Sequence, residues 1–334
     1  MAAHYGDPMR EQRAAATSAG LVDRSNRGVL TITGPDRLSW LHSLTTQHLE
    51  KLAAGQSAQA LILSPTGHVE HHLTLTDDGT SVWVHVEPGT AADLVAFLES
   101  MRFMLRVEVA DVSRDYAVLT VGGPAAGDIA AELEGVRARV EPGPFGTVDL
   151  IVARDLLADA AAELVRRGAA RAGIWSFEAL RIAARVPRFG LDTDHRTIPH
   201  EIGWIGVAVH LDKGCYRGQE TVARVHNLGH PPRRLVFLDL DGSVDRLPAH
   251  GDPVELAGGE PGGAPGGAQG ATVGFTGSAA RHYELGPIGL ALIKRTVPVG
   301  ATLLAGGVAA AQEVIVPPDT GANVQVTLRR RNLI

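Results

Sequence analysis

Two adjacent prolines, Pro231 and Pro232, divide the sequence into parts with different patterns. Before them, runs with the alternation of a β-strand interleave with runs whose apolar residues recur every three to four positions, as in a helix. After them, short strand-like runs follow one another without a helical pattern between them. Neither proline can donate a backbone hydrogen bond, so a strand or helix ends here. The sequence therefore predicts an α+β core over residues 21–230 and an all-β domain over 231–334.

The core segment contains strand and helix patterns in irregular order. This irregular order favours an α+β fold over a doubly wound parallel sheet. Thr90 to Asp93 resembles a capping box that starts a helix. Residues 1–20 are expected to be a flexible N-terminal segment. The predicted strands are Gly28–Thr33, Ala58–Leu63, Val69–Thr76, Ser81–Val86, Leu105–Val109, Tyr116–Val121 and Thr147–Val152, and the predicted helices cover Arg37–Leu52, Thr90–Met104 and Asp155–Arg167.

The C-terminal segment is predicted to hold short strands and one insertion. Residues 257–270 contain seven glycines and two prolines, a composition typical of a flexible hairpin insertion. They do not form a phosphate loop, because no Gly-Lys-Ser/Thr sequence follows. The strand candidates are Leu235–Leu240, Ala271–Phe275, Ile288–Ile293, Val314–Val316 and Asn323–Leu328.

Composition excludes several classes of protein. The formal net charge is −6, which argues against nucleic-acid binding over the whole surface, and Arg329–Arg331 is most simply a solvated tail. The single cysteine, Cys215, excludes an internal disulfide and cannot by itself supply a four-thiolate metal site. No apolar run reaches the roughly 18 residues of a membrane span, and the N-terminus lacks a signal-peptide core. We expect a cytoplasmic protein with no membrane segment and no resident metal.

The most unusual local sequence is Asp212–Arg224. Gly214 and Gly218 bracket Cys-Tyr-Arg and allow close backbone approach to a ligand. If the segment is extended, Lys213 and Cys215 point to one face, and the ammonium would favour a reactive thiolate. The alternative is that Cys215 is a small buried apolar residue.

The eight residues Lys213–Glu220, KGCYRGQE, resemble the K-G-C-[FY]-x-G-Q-E signature of the YgfZ proteins. These are folate-binding relatives of the glycine cleavage T-protein, an aminomethyltransferase. The resemblance extends over nearly the whole chain. Its other segments are Gly28–Trp40, Ser64–Leu73, Glu178–Asp192, Val273–Ser278 and Leu285–Ala291.

The resemblance implies a folate-binding core of two interleaved α+β modules closed by a C-terminal β-barrel. It implies an accessory protein that supports the assembly or repair of iron–sulfur enzymes, including one that modifies tRNA. Tetrahydrofolate or a one-carbon derivative would be the cofactor, and reduced folate and iron–sulfur client enzymes the partners. The functional residues carried over are Lys213, Cys215 and Tyr216 as catalytic residues, with Gly214, Gly218, Gln219 and Glu220 completing the loop.

Two departures argue against simple transfer of the T-protein's activity. His71 and His72 occupy the place of the T-protein's pair of aspartates. A neutral histidine cannot stabilise a cationic amine as an ionised carboxylate does. Ala183 stands where relatives have an acidic residue that bonds the pterin, and Arg185 replaces a glycine. A missing charged hydrogen bond costs about 1.5–3 kcal/mol. The expected cofactor-binding residues are therefore Arg181, Arg185, His71 and His72, beside the loop glycines.

Other residues offer substitutes and alternatives. Asp192, Asp194 or Glu201 could replace the missing acceptor, and Arg185 and Arg188 could hold an acidic tail. The rings of Trp204 and Tyr216 could form the walls of a site for a planar ligand, or they could only pack in the hydrophobic core. The alternative functions are a folate-dependent one-carbon transferase or demethylase, with aminomethyl or methyl transfer, and a non-catalytic pocket protein that binds haem or a metal. The scattered histidines that motivate the last are His68, His71, His72, His226 and His230.

Overall fold

The computed structural model describes residues 1–141, 143–257 and 270–323. The interior of the Gly-rich insertion, residues 258–269, lies outside these ranges. The strand expected over Asn323–Leu328 lies outside them beyond Asn323, as does the cluster Arg329–Arg331.

Helices and strands are mixed in the core and give way to strands in the C-terminal segment. The helices are α1 (Pro8–Thr17), α2 (Arg37–Leu44), α3 (Ala91–Ser100), α4 (Ala126–Ala130), α5 (Leu157–Arg166), α6 (Ile174–Ala183) and α7 (Gln219–Leu228). The strands are β1 (Gly20–Asp23), β2 (Gly28–Thr33), β3 (Ser57–Leu63), β4 (Val69–Asp77), β5 (Ser81–Val86), β6 (Glu108–Asp111), β7 (Tyr116–Gly122), β8 (Val136–Val140), β9 (Val148–Ala153), β10 (Ala170–Ala172), β11 (Arg233–Leu240), β12 (Pro253–Leu256), β13 (Thr272–His282), β14 (Gly286–Lys294), β15 (Leu303–Ala305) and β16 (Val308–Val314).

The strands form two five-stranded sheets and a closed barrel. The first sheet has the order β3-β4-β5-β2-β6, and the second has the order β10-β1-β7-β9-β8. The barrel has the order β11-β14-β13-β12-β15-β16. Because β1 belongs to the second sheet and β2–β6 to the first, the two core modules are interleaved along the chain. The predicted fold class, an α+β core with a C-terminal all-β barrel, is confirmed.

The two sheets face each other and carry helices on their outer faces. On β2, Leu30 and Ile32 point outward and pack under α2 and α3, while Val29 points inward. This alternation follows from the two-residue period of a strand. Val29 and Trp83 of the first sheet meet Val118 of the second. The inner faces become polar towards one end, and that end forms the cavity described below.

The barrel packs on the core through its outer surface. Leu235 and Phe237 of β11 and Leu290 of β14 point away from the barrel interior. They contact the core residues Ile202 and Trp204 in one hydrophobic cluster. The residues that alternate with them along the same strands point inward and fill the barrel interior. Each strand therefore contributes one face to the interface with the core and the other face to the barrel's own core.

Residues 8–17 form helix α1, where the sequence analysis expected a flexible N-terminal segment over residues 1–20. Asp7 caps α1 by accepting hydrogen bonds from the amides of Met9 and Arg10, both at 3.0 Å. Gln12, only 1% exposed, donates to the carbonyl of Arg281 and accepts from the amide of Tyr283, again at 3.0 Å. The Asp-Pro pair that starts α1 is the signal that the sequence analysis missed.

Several element boundaries differ from the predictions. Helix α2 ends at Leu44 rather than at residue 52, because the Thr46 amide bonds to the Leu61 carbonyl and joins the chain to the first sheet. Thr90 does not cap α3 through a capping box; its hydroxyl donates to the Glu87 carbonyl. Strand β16 covers Val308–Val314, so it ends at the first residue of the strand predicted over Val314–Val316. None of the helices in the described ranges has the length and apolar character to cross a membrane.

Candidate functional site

A cavity of about 340 Å³ opens where the inner faces of the two sheets meet the loop after α6 and the barrel. The first sheet contributes polar side chains from β3, β4 and β5, and the second contributes Asp149 from β9. The lining residues are Arg24, Arg27, Gln59, His72, Thr74, His85, Glu87, Phe145, Asp149, Phe177, Arg181, Arg185, Val186, Pro187, Arg188, Ile202, Gly203, Trp204, Val207 and Ile315.

Aromatic rings form two walls of the cavity. The His72 imidazole stacks on the Trp204 indole, with ring centroids 4.5 Å apart and an angle of 26° between the planes. Phe177 of α6 lies near Phe145, with 5.5 Å between centroids. The guanidinium of Arg24 lies 4.3 Å above the Phe177 ring. The cavity therefore presents flat apolar surfaces beside positive charge, which suits a planar ligand.

A chain of buried ion pairs crosses the floor of the cavity. Glu87 accepts from Arg27 at 2.7 Å and from Arg188 at 2.6 Å. Arg188 also donates to Glu178 at 2.6 Å, and Glu178 in turn accepts from Arg181. Burial alone would raise the pKa of Glu87, but Arg27 and Arg188 outweigh it and hold that pKa below its usual range. The carboxylates are therefore ionised at neutral pH.

A second group centres on Asp149. Arg27 donates from Nε to His85 Nδ1 at 2.8 Å, which places the proton of the neutral ring on Nε2. His85 Nε2 lies 3.1 Å from Asp149 Oδ2. Burial lowers the pKa of His85 to about 4, so the ring is neutral at pH 7. Burial also acts to raise the pKa of Asp149, but Arg24 and His85 lower it below its usual value.

The predicted histidine pair divides between the two faces of β4. His72 faces the cavity, and its Nε2 lies 2.9 Å from Gln59 Oε1. Burial lowers its pKa to about 4, so it presents a neutral imidazole. His71 points to the other face, where its ring lies 6.1 Å from that of Phe97. Only His72 is positioned as a cavity residue, since neighbouring strand residues point to opposite faces.

The predicted arginines hold different positions. Arg181 is 1% exposed, and its guanidinium is held by Glu178, Asp192 and Ser278. Arg185 stands at the rim with a φ of 60°, pairs with Glu313 of the barrel and lies 5.1 Å from the Phe237 ring. Arg181 therefore shapes the cavity wall, whereas the exposed Arg185 stands at the entrance, where a ligand would compete with Glu313 for it.

The prediction that a nearby carboxylate replaces the missing acidic residue is wrong. Asp192 is buried against Arg181 and Ser278, and Asp194 and Glu201 both bind Arg233. None of the three lines the cavity. The carboxylates that line it are Glu87 and Asp149.

The KGCYRGQE loop is a separate site. Lys213 is 6% exposed and donates from Nζ to the carbonyls of His42 and Thr45, the last turn and the C-cap of α2. A cation suits this end of a helix, where carbonyls lack partners. The Lys213 ammonium also lies 5.0 Å from the Tyr216 ring centroid. Burial lowers the pKa of Lys213 to about 8 and raises the pKa of Tyr216 to about 12.

Cys215 lies between these two buried residues and is itself exposed. The segment is not an extended strand, so the expectation that Lys213 and Cys215 share a face is not met. The lysine turns inward to cap α2, and the thiol stays on the surface. The alternative of a buried apolar Cys215 is also wrong.

The glycines of the loop bring it against the turn before β4. Gly218 has a φ of 81° and is the N-cap of α7, and a Cβ at this position would lie 2.6 Å from the Ser64 carbonyl oxygen. Gln219 is the first residue of α7, and Glu220 is exposed and pairs with Arg224 at 2.7 Å. Of the described residues that line the cavity, none comes from this loop.

Comparison with known proteins shows which proteins this chain is similar to. Residues 5–158 match the family model of the GCVT N-terminal domain. The aminomethyltransferase of Rubrobacter xylanophilus is 29% identical over 285 residues, covering 77% of this chain and 74% of the relative. That of Geobacillus kaustophilus is 29% identical over 326 residues, covering 89% and 85%.

One solved structure shows the same fold over nearly the whole chain. The glycine cleavage system aminomethyltransferase T from Bartonella henselae superimposes with a TM-score of 0.73 at 18% identity, covering 95% of this chain and 91% of that chain. The chain thus has the GCVT-type fold, with two α/β modules and a closed six-stranded barrel. The curated relatives are named aminomethyltransferases, and the closer assignment to YgfZ stays a prediction.

Sequence reasoning missed most of the polar groups of this cavity. Arg24 and Arg27 lie in the turn between β1 and β2, and Glu87 directly follows β5. Asp149 alone carried a local signal, because it is a charged residue inside the otherwise apolar strand β9. The other partners come together only through strand pairing within a sheet and the packing of the two sheets against each other.

Proposed function

We propose that the protein binds a reduced folate in the central cavity and takes part in one-carbon transfer. The observation that carries the proposal is the cavity itself, in which the stacked His72 and Trp204 rings stand beside a network of buried charges. Its volume of about 340 Å³ falls within the range of small-molecule sites. The resemblance to folate-binding proteins supplies the ligand class.

The side chains of the cavity fit the chemistry of a folate. Arg188 Nε is buried and has no hydrogen-bond partner among the described residues, so it is available to a ligand. Glu87 and Asp149 can accept from the donor groups of a pterin, while the Trp204 and His72 rings flank a planar system. Arg185 at the rim can pair with the carboxylates of a folate tail.

His72 shapes the chemistry that we propose. A bound reduced folate would carry or accept the one-carbon unit. His72 holds its proton at Nε2 towards Gln59, so Nδ1 is the free acceptor of a neutral ring. Arg27 and Arg188 compensate the charge of Glu87, and Arg24 compensates that of Asp149, so these carboxylates can still accept from neutral N–H groups but offer no uncompensated charge to a cationic amine. We therefore propose one-carbon transfer other than the T-protein's aminomethyl step.

The test is a calorimetric titration of the full chain with tetrahydrofolate and 5-formyltetrahydrofolate. We expect binding that His72→Ala weakens about tenfold, the upper end of what an aromatic contact contributes. His71→Ala is the matched control, because His71 is the next residue of the same strand and faces away from the cavity. Absence of binding to the folded wild type, or equal weakening by both variants, would overturn the proposal.

A second candidate function rests on the exposed thiol. Lys213 and Tyr216 are buried and hold the loop in place, while Cys215 between them is exposed. A thiol displayed in this way can reach a macromolecular client. This fits the YgfZ-type role in maintaining iron–sulfur enzymes, including a tRNA-modifying one, with the folate cavity as an accessory. The protein would then not be a conventional turnover enzyme.

Complementation tests the second candidate. In a strain lacking this protein, we expect wild type and Arg224→Gln to restore activity of an iron–sulfur tRNA-modifying enzyme, and Cys215→Ala not to restore it. Arg224 is an exposed residue just beyond the loop and serves as the control. Full rescue by Cys215→Ala would sink this candidate.

Haem or a metal ion in the central cavity is the least favoured occupant. His85 uses both ring nitrogens, on Arg27 and Asp149, so the two histidines leave His72 Nδ1 as their one free donor atom, whereas a zinc-type site needs at least three protein ligands. A visible absorption spectrum of the purified protein tests this directly, since haem would give intense bands.

A further inference from the structure

Three histidines from two segments of the chain converge beside the KGCYRGQE loop. His42 lies in the last turn of α2, His48 lies in the loop after it, and His210 precedes the KGCYRGQE loop. The His42 and His48 rings are 4.7 Å apart between centroids, and the His48 and His210 rings are 5.5 Å apart. The hydrogen bond from the His210 amide to the Thr46 carbonyl, at 2.9 Å, holds the two segments together.

Glu50 completes a set of metal-ligand side chains. One donor atom each from His42, His48 and Glu50 lies within 4.8 Å of the others. Within residues 1–141, 143–257 and 270–323, this is the one group of three such residues with that spacing. None of the three lines the central cavity, so the group is distinct from the proposed folate site.

We propose that His42, His48 and Glu50 bind a divalent transition-metal ion of the zinc type. Two imidazoles and a carboxylate are a donor set that zinc accepts, with metal–ligand distances of about 2.0–2.2 Å. Donors spaced up to 4.8 Å must close slightly around the ion. The exposed Glu50 and the half-buried His48 can do this by side-chain rotation.

Two neighbours of His42 bear on ion binding: the Leu49 amide and the Lys213 ammonium. The Leu49 amide donates to His42 Nδ1 over 3.3 Å, a long hydrogen bond that metal binding would replace. Lys213 is the nearby cation, and its ammonium is engaged by the carbonyls of His42 and Thr45.

The site adjoins the functional loop. A Cβ on Gly214 would lie 4.0 Å from His42 Nε2, so the residue next to Cys215 borders the site. Three protein ligands leave a coordination position for water or an added ligand, as in catalytic rather than structural zinc sites. The proposed ion therefore lies next to the loop that presents the exposed thiol.

Titration of the chelator-treated full chain with Zn²⁺ alone tests the proposal, without folate present. We expect one ion per chain in wild type, in His195→Gln and in Cys215→Ser, and affinity about tenfold or more weaker in His48→Gln and Glu50→Gln. His195 is an exposed histidine outside the group. Circular dichroism melting should be the same for metal-free wild type and His48→Gln, because His48 is not part of a core cluster.

Three results would overturn the assignment. The first is no stoichiometric Zn²⁺ binding to wild type, and the second is wild-type affinity in His48→Gln. The third is loss of binding in Cys215→Ser alone, which would assign the ion to the thiol instead. Because this titration contains no folate, its result can be interpreted even if the folate proposal fails.

Discussion

Replacing Asp149 by asparagine tests the idea that the cavity is built on compensated buried charge. The carboxylate accepts from Thr120 Oγ1 at 2.5 Å and from Arg24 Nη1 at 3.4 Å, and its side chain is 3% exposed. Asparagine keeps the shape but removes the charge. Arg24, 8% exposed, is then left in a low-dielectric site without its carboxylate.

The magnitude follows from what remains around Arg24. Breaking a buried ion pair by removing one partner costs about 3–5 kcal/mol. The Phe177 ring 4.3 Å from the guanidinium retains part of the stabilisation, so we expect a loss near the lower end, about 3 kcal/mol. The assay is urea unfolding followed by circular dichroism at pH 7. Asp245→Asn is the control, since the Asp245 side chain is 98% exposed and pairs only with Arg281 at the surface.

The same variant has a defined pH signature. Because the pKa of Asp149 is lowered in the folded state, its stabilising contribution is present above the unfolded pKa of about 3.9 and is lost as pH falls through the folded value. The difference between wild type and Asp149→Asn should therefore shrink below about pH 4. A variant within about 0.5 kcal/mol of wild type at pH 7 would refute the reasoning, because that is the scatter of ordinary surface substitutions.

Three further predictions concern the frame around the two sites. Gln12→Ala removes both hydrogen bonds between the Gln12 side chain of α1 and the barrel, so we expect the free energy of unfolding in urea to fall by about 1–3 kcal/mol. Arg10→Ala, at an exposed position of the same helix, should leave it unchanged. Gly218→Ala places a Cβ 2.6 Å from the Ser64 carbonyl oxygen at a φ of 81°, so we expect its melting temperature to fall. Gly55→Ala is the control, because Gly55 has the same φ but no atom within 4 Å of such a Cβ, and its melting temperature should fall less. Cys215→Ser should leave the melting temperature unchanged, and wild-type Cys215 should react fully with a maleimide without denaturant; a protected thiol would contradict its exposure.

The periodic parts of the fold could be predicted from the sequence. Gly28–Thr33 and Ser81–Val86 are strands with the predicted bounds, because runs rich in Val, Ile, Thr and Trp between turn residues favour strands. Helix α6 could not be predicted from pattern, because it is buried against both the core and the barrel and lacks a polar stripe. The C-terminal strands were predicted too short, since β13 extends to His282 through a bulge near Gly277.

The candidate site was only partly accessible in the same way. His72 was found because a recognisable segment surrounds it, but the sequence could not say which of the two histidines faces the cavity. Arg27 and Glu87 are 60 positions apart in the chain and meet only when β2 pairs with β5. No local pattern records such a contact. The positions of Lys213 and Cys215 on different sides of their loop likewise depend on the end of α2.

The interleaving of the sheets has a consequence for synthesis on the ribosome. Strand β1 leaves the ribosome first, yet its partners β7 and β10 follow only after the whole of β2–β6. The first sheet can therefore close while β1 still has two unpaired edges, a state that invites pairing with another chain. We expect fragments ending between Asp111 and Tyr116 to form a folded sheet but to aggregate through β1, and deletion of β1 from such fragments to restore their solubility.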